Sequence, residues 1–289
     1  MNPWVLAARP PTLWAAVAPV LVGSAFAVRD EVFRADVFAV TVVTAVLIQV
    51  AVNFANDVGD GIKGTDSSDR IGPPRAVALG LISPQHMWRG VAVVLGIATV
   101  GGIYLTWVAG WPVIAIGVAS IIASFGYTNG PRPYGYLGLG ELFVFVFFGL
   151  VATIGARFVH DGTWQADTIP SAVAMGFLAT AILVANNIRD IPTDEAAGKR
   201  TLAVRLGRTR SVWLYIALFI ATSVSISLGV RYAGYPATVV LAGLLSLVGI
   251  WLGRGLSRAT SGQAFIAVLK GTARLQLAVA AVLSLTLIL

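Results

Sequence analysis

Cysteine is absent from all 289 residues. Disulfides, thiol catalysis and thiolate metal sites are therefore excluded. Charge is scarce as well. Asp, Glu, Lys and Arg make up 11% of the chain, less than half the share usual in a soluble domain. Hydrophobic residues fill 57%, and the mean hydropathy is +0.84. Almost every segment between apolar runs is short, which leaves no room for a separate soluble domain. The reading is one membrane-embedded domain over residues 1–289. The opening "MNPWVLAARPPTLWAAVAPVLVGSAFAV" lacks a short apolar core followed by a small-residue cleavage site. It is read as a retained first helix rather than a signal peptide.

About 20 mostly apolar residues cross a bilayer. That length predicts nine spans, at roughly 12–29, 36–56, 88–108, 110–128, 139–159, 169–188, 211–230, 235–253 and 272–289, the last of them short. An apolar run of this length satisfies its own backbone only as a helix. The fold class is therefore all-α and polytopic. The net charge of +7 follows topology rather than nucleic-acid binding. With the N-terminus in the cytoplasm, 16 of the 20 Lys and Arg residues fall at the cytoplasmic ends, and only Arg29, Arg34, Arg157 and Arg231 fall outside. Such an imbalance orients the chain. The long inside loops are then 57–87 and 189–210, and Trp4, Trp107, Trp111 and Trp164 fit interface anchors. Spans 2 and 6 suggest a faint internal repeat of four helices.

Two polar stretches stand at cytoplasmic helix ends: "NFANDVGDGIKGTD" (53–66) and "NNIRDIPTDEAAGKRT" (186–201). Asn53, Asp57 and Asp60 share one helical face, as do Asn186, Asp190 and Asp194. Pro192 is expected to end or bend the helix before Asp194. If spans 2 and 6 pack together, four carboxylates meet in one cavity, where they stay ionised only with cations between them. Hard oxygen donors in small number suit Mg²⁺ shared with substrate phosphates. Lys63, Arg70 and Arg75 follow the first cluster, and Arg189, Lys199 and Arg200 the second. Such mixing points to Mg²⁺ plus a diphosphate rather than to a bare cation site. Asp66, Asp69 and Glu195 are read as caps or ion-pair partners. Ionisable groups beside a span are otherwise functional by default.

At "NDVGD" (56–60) and "DIPTD" (190–194) the chain resembles the UbiA superfamily of membrane prenyltransferases. The resemblance covers nearly the whole chain and implies nine helices around a central cavity. Three segments in order, "NFANDVGDGIKGTDSSDRIGPPRAVALGLISP", "SFGYTNGPRPYGYLGLGELFVFVFFG" and "NNIRDIPTDEAAGKRTLAVRLG", resemble the branch that prenylates 1,4-dihydroxy-2-naphthoate in menaquinone synthesis. Many members carry a further Asp where this chain has Gly64, so the ligand count at the first metal is open, with Asp66 the nearest substitute. The resemblance implies transfer from a polyprenyl diphosphate, with loss of CO₂ and diphosphate. Two Mg²⁺ would sit on Asp57, Asp60, Asp190 and Asp194. Asn53, Asn56, Asn186 and Asn187 would supply neutral oxygens or orient carboxylates. Lys63, Arg70, Arg75, Arg189, Lys199 and Arg200 would hold phosphate oxygens.

Tyr127, Arg132, Tyr134 and Tyr136 lie between spans 4 and 5. They fit either an interfacial aromatic belt or an aromatic-acceptor site. Glu141, just inside span 5, is a partner for Arg132 or a proton acceptor. His86 is read as structural, and His160, on the outer side, is set aside. Another aromatic acceptor (4-hydroxybenzoate or homogentisate) and an ion-coupled transporter stay open as alternatives.

Overall fold

Proline starts the first helices. α1 (Pro3–Ala8) has Asn2 as its cap, and α2 (Pro10–Arg29) follows after Arg9, which takes a left-handed φ of 51°. Proline at the first helical turn costs no hydrogen bond, because that N–H has no intrahelical partner. The structure, a computed structural model, describes residues 2–63, 75–128 and 133–289, with the side chain of Lys63 excepted. After α2 come α3 (Ala35–Lys63), α4 (Pro84–Ala109) and α5 (Pro112–Thr128). The next rod joins α6 (Gly140–Val144), a π-helical stretch (Phe145–Val151) and α7 (Ala152–Phe158). It is followed by α8 (Ile169–Ala196) and α9 (Leu202–Tyr232), which breaks at Gly207 with φ 71°. α10 (Val240–Ser246) and α11 (Val248–Arg258) form one interrupted span, and α12 (Gly262–Ile288) closes the chain. Among the described residues, eight of these rods are long and apolar enough to cross a membrane, and the 17-residue α5 is a shorter apolar ninth.

The spans fall where hydropathy puts them, but several ends move. α3 has 29 residues and α8 has 28, against about 20 needed for a bilayer core. The surplus carries both polar stretches out of the apolar slab as helix rather than loop. The expected loops at 57–87 and 189–210 thus begin and end in helix. Pro192 does not end α8, which continues to Ala196. A proline there removes one ladder bond near the helix end, and the continuing turn is closed by the Lys199 N–H on the Asp194 carbonyl, 2.8 Å. The last span is not short. α12 begins at Gly262, where Ser261 caps it.

One core forms among α2, α8, α9 and the C-terminal helices, around Phe26, Leu178, Tyr215 and Phe219. A second joins α1, α3 and α4 around Phe54, Val58 and Met87. α3 packs chiefly on α4, and α8 on α9. These two hairpins correspond to spans 2–3 and 6–7 of the suspected repeat. α3 and α8 therefore do not form one packed pair. They stand as facing walls of a cavity.

Candidate active site

A polar chamber lies between those walls, and an apolar cavity adjoins it on the α3 side, among α2, α3, α4, α5 and the rod of α6 and α7. The polar chamber, about 220 Å³, is lined by Asn53, Asn56 and Asp60 of α3, by Asn186, Asp190 and Asp194 of α8, and by Arg75 and Lys199. The apolar cavity, about 670 Å³, runs from Gln49 and Ile48 to Trp107, Val113 and Val159 at the opposite ends of the helices. Gln49, Val52, Ser124, Phe147 and Phe148 line both. Ile103, Trp107, Ile114 and Val118 line the apolar cavity and are more than half exposed on the surface of the bundle. That cavity therefore reaches the lipid-facing side between α4 and α5.

Each carboxylate facing the chamber has a cationic partner. Asp60 pairs with Arg75 at 2.8 Å. Asp190 pairs with Arg189 at 2.6 Å, and Arg189 also donates to Asn186 Oδ1 at 2.8 Å. Asp194 pairs with Lys199 at 3.3 Å. Burial works against the charge on Lys199, but the facing Tyr127, Asp60 and Asp194 outweigh it, and its pKa rises above the ordinary lysine range. Asp57 behaves differently. Its two oxygens accept the backbone N–H groups of Ala76 and Val77, at 3.2 and 2.9 Å. It thereby pins the turn that carries Arg75 to Asp60. Asp57 is 1% exposed and does not line the chamber.

The other expected residues separate by position. Asn56 accepts from Thr128 at 2.8 Å and lines the chamber. Asn53 lines it too, but its amide is tied to the α1–α2 junction. Tyr127 lines the chamber. Asn187 and Glu141 are buried behind it, joined at 3.0 Å. Arg200 is exposed away from it. Arg70 and Arg132 lie outside the described residues, with Asp66 and Asp69, and so does the side chain of Lys63. Sequence reasoning missed Arg9, Gln49, Phe143, Phe147 and Phe148, all of which line the chamber. The π-helical stretch places Phe147 and Phe148 side by side at the seam, a device frequent at functional sites. Tyr134 stacks on Phe143 with centroids 3.8 Å apart, and Phe143 stacks on Phe147 at 6.2 Å. The result is an aromatic wall.

Among the described residues, three acidic and three basic ones line the chamber: Asp60, Asp190 and Asp194 against Arg9, Arg75 and Lys199. Among the described residues, no three His, Asp or Glu side chains gather tightly enough to hold a metal alone. Of the four carboxylates expected to meet in one cavity, Asp60, Asp190 and Asp194 line the chamber and Asp57 does not. Asp194 Oδ2 is nevertheless buried without a hydrogen-bond partner. An unmet acceptor on a carboxylate, in a chamber also lined by Asp190, Asn56 and Asn186, fits a divalent ion that takes the rest of its ligands from a substrate.

The sequence model of the UbiA prenyltransferase family matches residues 16–284. A 1,4-dihydroxy-2-naphthoate octaprenyltransferase of Mycobacterium tuberculosis is 42% identical over 223 residues, 76% of this chain and 75% of the relative. The Escherichia coli protein of the same name is 39% identical over 231 residues, 78% of this chain and 75% of the relative. A UbiA homolog from Archaeoglobus fulgidus, solved bound to GPP and Mg²⁺, superposes with a TM-score of 0.67 at 14% identity, covering 97% of this chain and 99% of that one.

Proposed function

The chain belongs to the UbiA prenyltransferase family, and from that membership we propose that it transfers a polyprenyl chain from polyprenyl diphosphate to 1,4-dihydroxy-2-naphthoate, with loss of CO₂. The observation that carries the chemistry is the charge balance of the chamber. Three acids meet three bases, while a diphosphate ester brings roughly three negative charges. Arg75, Arg189 and Lys199 are each already paired with a carboxylate, so divalent cations entering with the anion would supply the balancing charge. Relatives at 39–42% identity carry the naphthoate acceptor in their names, which supports that acceptor.

Asp60, Asp190 and Asp194, with the amide oxygens of Asn56 and Asn186, would hold Mg²⁺. When bound, the metal neutralises the charge that develops on the departing diphosphate. Arg75 and Lys199 would exchange their carboxylate partners for phosphate oxygens as substrate enters, and so stay charged and aimed at the leaving group. The allylic C–O bond breaks with its electron pair leaving on diphosphate. The ring carbon supplies the pair for the new C–C bond. The carboxyl group then leaves as CO₂ and returns its pair to the ring. Tyr127, Tyr134, Phe143 and Phe147 exclude water from the cation and offer it aromatic faces. The isoprenoid tail occupies the apolar cavity, and the rest of a long chain leaves between α4 and α5 into lipid. Arg132 or Arg70 would bind the acceptor carboxylate bidentately. Glu141 supports Asn187 rather than meeting substrate.

The test uses carboxyl-labelled naphthoate with the purified protein. Labelled CO₂ should appear one to one with prenylated product, and only when both polyprenyl diphosphate and Mg²⁺ are present. Product that keeps the label, or turnover of 4-hydroxybenzoate without turnover of the naphthoate, would overturn the assignment. Removal of metal with EDTA should stop both signals, and Mg²⁺ should restore them.

A further inference from the structure

The seam between the two cavities contains a buried amide whose orientation is dictated by the backbone. Ala8 offers a carbonyl, which only accepts, so the Asn53 atom 2.8 Å away is its NH₂. Thr12 agrees. Its hydroxyl hydrogen goes to the Arg9 carbonyl at 2.9 Å, and its oxygen therefore accepts from the same Asn53 nitrogen at 3.0 Å. Asn53 Oδ1 is thus turned the other way, and Gln49 must present its own NH₂ to it, at 3.3 Å. Gln49 Oε1 is left buried and without a hydrogen-bond partner among the described residues, on a side chain that lines both cavities. Gln49 is 8% exposed. The other polar residue at the seam, Ser124, has its hydroxyl hydrogen committed to the Ser120 carbonyl at 2.7 Å.

We propose that Gln49 is a catalytic residue whose oriented carbonyl stabilises the allylic cation of the prenyl donor as it forms. The inference rests on the function proposed above. With the diphosphate in the polar chamber and the tail in the apolar cavity, the allylic carbons lie at the seam that Gln49 lines. A carbonyl dipole sealed from water and fixed through Asn53 places negative potential there before the reaction starts, and no reorganisation is needed. Gln49 takes no proton and forms no bond. Leaving the oxygen unmet costs stability in the free protein, and the cation meets that unmet acceptor.

The test compares Gln49→Met, which keeps length and loses the dipole, and Gln49→Glu, which keeps an oxygen and adds charge. The full-length protein is purified, melting temperatures are recorded, and single-turnover rates are measured at saturating Mg²⁺ and naphthoate. Donors are a polyprenyl diphosphate and its 2-fluoro analogue, in which fluorine resists cation formation. Met should lower the rate about 10–100-fold, with KM for both substrates within threefold. The rate ratio between plain and fluorinated donor should widen in the Met variant and narrow in the Glu variant. A ratio unchanged in both variants, or an effect confined to KM for the naphthoate, would overturn the role. No product from the unsubstituted chain would overturn the underlying function as well, which separates the two failures.

Discussion

At the residue scale the acidic groups of the two polar stretches do different work. Asp194 pairs with Lys199 but keeps a buried oxygen unmet. Asp194→Asn removes the charge and little volume, so activity at saturating Mg²⁺ is expected to fall at least ~10²-fold, with a raised Mg²⁺ requirement. Steady-state kinetics over a Mg²⁺ titration checks this. Asp57 accepts two backbone N–H groups. An Asn there satisfies only one and sets its NH₂ against the other. Asp57→Asn should therefore lose activity together with about 1–3 kcal/mol of stability, visible as a lower melting temperature, because the turn holding Arg75 to Asp60 loosens. Loss of activity at an unchanged melting temperature would instead give Asp57 a direct place at the metal. At the far end of the bundle, His160 Nδ1 accepts the Arg34 N–H at 3.1 Å and Nε2 faces Ser24 Oγ at 3.2 Å. Burial, and then the charge of Arg157, push its pKa down to about 4. The folded state thus refuses a proton that the unfolded state takes near pH 6.5. His160 contributes stability above that pH, and the contribution is lost as pH falls from about 6.5 toward 4. Melting temperatures of the parent and of His160→Gln should diverge at neutral pH and converge across that window.

At the element scale, helix length and one close contact shape the chamber. α3 and α8 outrun the bilayer by about a third of their length, and their last turns become the walls of the chamber. The π-helical stretch that aims Phe147 and Phe148 at the seam lies against α8 at Gly149 and Gly176. A methyl group on Gly149 would stand 2.4 Å from Gly176 Cα and 2.6 Å from its nitrogen. Backbone atoms cannot rotate aside. Gly149→Ala is expected to cost about 1–3 kcal/mol and to reduce turnover by displacing the aromatic wall. Thermal unfolding in detergent and product formation measure the two effects. A stable, fully active variant would show that the wall's placement does not matter.

At the scale of the whole molecule, charge sets the expected orientation. The positive charges gather at the end of the bundle that carries the chamber, and the cytoplasm is expected on that side. The absence of native cysteine makes the test clean. A cysteine at exposed Glu195 should resist an impermeant thiol reagent added outside intact cells, and one at exposed Arg231 should react. The reverse pattern would turn the protein over.

The spans and their helical nature were legible from hydropathy alone, because only a helix satisfies a backbone of about 20 residues in lipid. The sequence also pointed to the two Asn–Asp stretches as the place to look for chemistry, because carboxylates beside a span have few structural uses. Asp60, Asp190, Asp194 and Lys199 were legible on those grounds. Which of these side chains line one chamber depends on packing between distant segments. Helical spacing puts Asp57 on the face of Asp60, yet a turn some 20 residues away claims its oxygens. Gln49 reads as one more polar residue in an apolar helix, and it becomes significant only when the Ala8 carbonyl fixes Asn53 and Asn53 fixes Gln49. Phe147 and Phe148 carry no signal of their own in the apolar run, and they meet at the seam because the close approach at Gly149 seats their helix against α8. Each of these depends on contacts between segments far apart in the chain, and no local pattern in the sequence encodes such a contact.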